Sequence, residues 1–145
     1  MRCAPSGRRT TGDDRVGEQA LLQRSTRLPP VPASAREARR LVREVLAEVG
    51  ETAAADSAEL AVSELVSNAI LHAATTVELR IEVTEQAVTV WVQDGHPRLP
   101  APRDSSTEAT TGRGLTIVAA LADEHGVDLQ PPTGKAVWFR LRRGR

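Results

Sequence analysis

Aromatic side chains are scarce: the 145 residues include only Trp91, Trp138 and Phe139, and no tyrosine. A chain this poor in rings cannot offer an extended stacking platform for nucleobases. Lysine is scarcer still, because Lys135 is the only one among 19 basic residues. Net charge is missing too, since 19 basic and 19 acidic side chains balance. That balance argues against attachment to nucleic acid or membrane through bulk charge. The single cysteine, Cys3, excludes an intramolecular disulfide and a cysteine-built zinc site. No apolar run approaches the roughly 18 residues of a membrane span. Arg2, Arg8 and Arg9 are not followed by the apolar stretch of a secretory signal. The expectation is a cytoplasmic protein without a nucleic-acid or membrane partner, gripping its ligand with aliphatic walls, backbone groups and a few charges.

What is present suits one ordinary domain, with 40% apolar residues to build a core. The neutral total hides a split. Residues 1–30 carry six arginines against three acids, whereas residues 31–145 carry 13 basic and 16 acidic residues. The first stretch has little hydrophobic periodicity and several Gly, Ser, Thr and Pro. Residues 1–30 are therefore expected to be a flexible basic tail ending at Pro29-Pro30, with the folded domain over residues 31–143.

Within the domain, Ser34 and Glu37 have the spacing of a capping box. Ala38, Leu41, Val42, Val45, Leu46 and Val49 follow at helical spacing, and Gly50 suits the stop. Asp56 and Glu59 suggest a second box before a helix reaching about Ala74, with Val62, Val66, Ala69 and Ala73 as its apolar stripe. The period then becomes two. Val77, Leu79, Ile81 and Val83 predict a half-buried strand, and Val88, Val90 and Val92 its hairpin partner, ending at Asp94-Gly95. Residues 96–111 read as a long loop. Leu115, Val118, Leu121 and Ala122 predict a helix, Val127–Leu129 a short strand, and Val137, Phe139 and Leu141 the last strand. The order predicts an α/β two-layer sandwich, a mainly antiparallel mixed sheet with helices on one face.

Three places could carry chemistry. Glu64 and Asn68 lie one turn apart on the second helix and share a face. A carboxylate can take a proton from a hydroxyl, and an amide oxygen can ligate Mg²⁺. His72 adds a polar group one turn on, or caps the helix C-terminus. The alternative is a solvated helix face. Asp94-Gly95-His96 follows a strand, where a carboxylate can accept a hydrogen bond from an exocyclic amine such as adenine N6 and Gly95 lets a ligand come close; an Asp-Gly turn is the plain alternative. Gly112-Arg113-Gly114-Leu115 opens a helix, where exposed N–H groups attract an anion or merely begin a glycine-rich helix. Neither a Rossmann fingerprint nor a Walker A loop is present.

Taken in order, these motifs resemble the GHKL ATPase superfamily, which includes histidine-kinase ATP domains, gyrase and the heat-shock chaperone ATPase. The blocks ELAVSELVSNAILHA, VQDGHPRLP, TGRGLTIVAALADEHGV and GKAVWFRL are closer still to the bacterial serine kinases that act as anti-sigma factors. The resemblance covers about residues 31–142. It implies the Bergerat ATP-binding fold, ATP and Mg²⁺ as cofactors, and phosphoryl transfer to a serine of an anti-anti-sigma (STAS) partner, with a sigma factor as a further partner and a possible homodimer. Carried over by position, Glu64 is the general base and Asn68 the Mg²⁺ ligand. Asp94 binds the adenine amine with Gly95 beside it, and Gly112, Arg113, Gly114 and Leu115 meet the phosphates. Residues 96–111 form the lid, and Ala69 and Ile117 line the pocket. Members often carry Trp where His125 stands, and a hydroxyl residue after Gly-Lys, where Ala136 stands. That replacement implies loss of an adenine-proximal threonine. The alternative function is a non-catalytic module that binds nucleotide or sequesters a partner.

Overall fold

The computed structural model describes residues 19–95, 116–129 and 134–143. Strand β1 (Leu22–Leu28) leads to helix α1 (Ala33–Glu48), a 3-10 turn (Thr52–Ala54) and helix α2 (Ala55–Ala73). Strands β2 (Val77–Val83) and β3 (Ala87–Asp94) form the expected hairpin. Residues 116–121 are helical, and strands β4 (Glu124–Leu129) and β5 (Lys135–Arg142) complete the sheet. Its order is β1-β2-β3-β5-β4, and all four pairings are antiparallel. The predicted α/β sandwich is the observed architecture, with α1 and α2 packed on each other and on one face of an open sheet.

The core lies between those layers because two periods converge on it. Ala38, Val42, Val45 and Leu46 of α1 and Ala58, Ala61, Val62, Leu65, Val66 and Ala69 of α2 are all buried. They meet Val77, Leu79, Ile81 and Val83 of β2, Val88, Val90 and Val92 of β3, and Phe139 and Leu141 of β5. Each Val, Leu, Ile or Phe side chain so buried contributes about 1.5–3 kcal/mol.

The tail expected over residues 1–30 needs correction. Residues 1–18 lie outside the described residues, but Leu22–Leu28 pairs along its whole length with β2, from Leu22 opposite Val83 to Leu28 opposite Val77. The polar alternation of this edge strand hid it. Leu28 is buried, while Arg24 reaches across to Glu48 of α1 with two 3.0 Å hydrogen bonds.

Neither expected capping box forms. Helix α1 starts one residue before Ser34, whose hydroxyl donates to the Pro29 carbonyl at 2.6 Å, and Glu37 pairs with Arg40. Helix α2 starts after Ala54, so Asp56 falls in its first turn, where its charge still favours the positive end of the dipole. Glu59 turns to Arg43 of α1, which grips it with bonds of 2.8 and 2.9 Å. Gly50 does end α1: at φ +76° it lets its own N–H reach Ala47 and the next N–H reach Leu46, a Schellman closure.

The face of the sheet away from the helices is not simply solvated. Trp91 and Trp138 are paired across β3 and β5 and are only 7% and 8% exposed. The Arg80 guanidinium lies 4.0 Å from the Trp91 ring centre. The Trp138 ring lies over Gly126, where a Cβ would come within 2.7 Å of it. Strand β3 is therefore buried on both faces along most of its length.

Candidate nucleotide cleft

The last inward-facing residue of β3 is Asp94. Period two puts it on the side of Val88, Val90 and Val92, above the core and beneath α2. It is 4% exposed, an unusual position for a carboxylate. The backbone N–H of Lys135 donates to its Oδ1 and the Lys135 ammonium donates to its Oδ2, both at 3.4 Å. Lys135 comes into place because Gly134 adopts φ +107°, a conformation that strongly favours glycine, immediately before β5 begins.

Around this pair lies a cleft of about 360 Å³, open to solvent. Leu65, Asn68, Ala69 and His72 line it from α2, with Val92 and Asp94 from β3 and Lys135 and Val137 from β5. Its walls are thus mainly aliphatic, with a few polar groups converging from three elements, the usual make-up of a small-molecule site. The His72 Nε2 is buried and has no hydrogen-bond partner among the described residues. A buried polar atom left in this way calls for a ligand or a water.

The structure brings Asn68, Asp94 and Ala69 to one cleft, as expected. Glu64 is half-buried one turn before Asn68 on α2, outside the cleft lining. Gly95 follows Asp94 and donates its N–H to Thr75 Oγ1 at 3.0 Å. Among the described residues a Cβ there would meet only ordinary contacts, the nearest at 3.8 Å, so their packing does not demand a glycine. Ile117, expected in the wall, is half-buried on the helical residues 116–121 and is not among the lining residues. The expected lid over 96–111, with His96, and the phosphate residues Gly112, Arg113, Gly114 and Leu115 lie outside the described residues.

One expectation at β5 is corrected. Ala136 pairs with Gln93 and packs with Trp91 and Trp138 on the far side of the sheet. A hydroxyl at that position would not face the cleft. Lys135 faces the cleft beside Asp94. The signal was available: Lys135 stands two residues before Val137 and shares its face.

A helical pair laid over an antiparallel sheet, with a buried aspartate at a strand end and an asparagine above it, defines a nucleotide-cleft domain of the GHKL ATPase type. The family of histidine kinase-like ATPase domains matches residues 28–141, and the chain belongs to it. Comparison with curated proteins gave no match. Among the described residues, no helix is long and apolar enough to cross a membrane.

Proposed function

We propose that this protein is an ATP-binding regulator of the anti-sigma-factor kinase type, which transfers the γ-phosphoryl group of ATP to a serine of an anti-anti-sigma (STAS) partner in the cytoplasm. The observation that carries the reading is Asp94, a carboxylate buried at the end of an aliphatic cleft under α2, with Asn68 lining the same cleft. The His72 Nε2, without a partner among the described residues, and the room those residues leave at Gly95 fit a purine held at this end.

In this reading ATP supplies the transferable phosphoryl group. Asp94 accepts a hydrogen bond from the adenine amine, and Leu65, Ala69, Val92 and Val137 exclude water from the base. Asn68 would offer its amide oxygen to a Mg²⁺ ion accompanying the nucleotide, which would neutralise phosphate charge there. Glu64 stands outside the cleft lining, where a hydroxyl arriving on a protein surface can reach it, and takes the proton of the attacking serine. Catalysis then rests on positioning and charge neutralisation.

Titration calorimetry with Mg-ATP tests the nucleotide site. Asp94→Asn should weaken binding by about 1–3 kcal/mol, the cost of losing a hydrogen bond to a charged group. Failure of the native protein to bind ATP at millimolar levels overturns the reading. Incubation with γ-labelled ATP and a STAS-domain partner tests the transfer, which Glu64→Gln should abolish. The position of Glu64 outside the cleft lining also favours a second reading, a non-catalytic module that grips its partner. There, Glu64→Gln leaves both partner binding and cellular output intact.

A further inference from the structure

We propose that Lys135 sets the base selectivity of the cleft, so that it accepts 6-oxopurine nucleotides as well as 6-aminopurine nucleotides. The inference rests on the nucleotide reading of this cleft and deepens it.

A carboxylate alone at the end of a purine pocket selects sharply. A 6-aminopurine turns an N–H donor toward it from N6. A 6-oxopurine turns a carbonyl oxygen, whose lone pairs the carboxylate repels, and burial among apolar walls magnifies that repulsion. In this chain the carboxylate does not stand alone. The ammonium of Lys135 is 3.4 Å from Asp94 Oδ2 and lines the same cleft, with a side chain 24% exposed. Acceptor and donor therefore stand side by side at the place where a base edge would arrive.

That pair can be matched in two ways. A 6-aminopurine donates N6–H to Asp94 and accepts from Lys135 at N1. A 6-oxopurine donates N1–H to Asp94 and accepts from Lys135 at O6. The separation of 3.4 Å is long beside the ~2.7–2.9 Å of a tight charge-assisted hydrogen bond, so the pair holds together loosely enough to admit a base. Lysine suits the task, as a compact charge on a flexible stem that can follow either edge. The neighbouring Ala136, on the other face of the sheet, contributes nothing to this reading of the base.

The decisive comparison is Mg-ATP against Mg-ITP, whose bases differ only around position 6, titrated into the full chain by calorimetry. The native protein should bind ITP within about tenfold of ATP. In Lys135→Met the ratio of the ITP Kd to the ATP Kd should rise at least about tenfold, because O6 then faces Asp94 with no donor beside it. Lys135→Gln, which keeps an uncharged N–H donor, should raise it less. If Lys135→Met fails the circular dichroism check of folding, the Lys135→Gln ratio decides. A native protein that binds ATP but rejects ITP by more than about a hundredfold overturns the proposal and leaves the ATP reading standing. An unchanged ratio in both variants does the same. Absence of binding by either nucleotide overturns both.

Discussion

Asp94, Lys135 and His72 come from three elements, and their meaning lies in one another's company. A buried carboxylate needs donors, and Lys135 supplies two, from its backbone and from its ammonium. His72 has no such arrangement. Its buried Nε2 has no partner among the described residues, which costs about 1–3 kcal/mol unless another group, a water or a ligand answers it. His72→Leu should therefore raise the melting temperature of the nucleotide-free protein while weakening Mg-ATP binding. A thermal melt with and without nucleotide reads both effects, and a change that lowered both would mark His72 as a plain packing residue. At this scale the sequence singled out Asp94 and Asn68, and the structure brings both to one cleft because strand ends and helix turns obey fixed periods. It misjudged Ala136 because it did not fix which face of β5 meets α2.

Between elements, the contact of α1 with α2 couples packing to charge. Arg43 holds Glu59 through two hydrogen bonds, and these hold the Glu59 carboxyl below its ordinary range. The stabilisation is fully present above the unfolded carboxyl value near 4.3 and is lost as pH falls through the lower folded value. Because Arg43 is largely exposed and its charge is screened by solvent, the effect should be small. Urea melts at neutral and acid pH should show a shallower acid loss in Glu59→Gln than in the native chain. The end of α2 offers a larger effect. Ala74 takes φ +55°, a left-handed conformation in which a Cβ is strained. Ala74→Gly should stabilise the fold by about 1 kcal/mol, measured by the same melts. Nothing in the sequence marked this strain, because helix C-termini are usually signalled by a glycine and here none is present.

Across the whole molecule, zero net charge and few rings acquire structural reasons. Two of the three rings lie together on the far face of the sheet, one beneath Arg80 and one over Gly126, away from the nucleotide cleft. The strand that sequence reading assigned to a tail supplies the edge of the sheet and buries Leu28 at 3% exposure. A chain starting at Pro30 should thus be less stable than one starting at Gln19, by at least the ~1.5–3 kcal/mol of one buried leucine, and more prone to aggregate through the bared edge of β2. Equal denaturation midpoints for the two chains would restore the tail reading. By itself the sequence determined the two helices, the β2–β3 hairpin and the sandwich class, because these follow from local periods of hydrophobicity, while the family came through the resemblance of its motif blocks. Only the tertiary structure decided that Leu22–Leu28 is a strand, that Ala136 turns away from the cleft, and that Lys135 stands against Asp94. Each of those depends on pairing between segments far apart in the chain. A polar edge strand carries no hydrophobic signature of its own, and a one-residue change of face moves a side chain from one side of the sheet to the other.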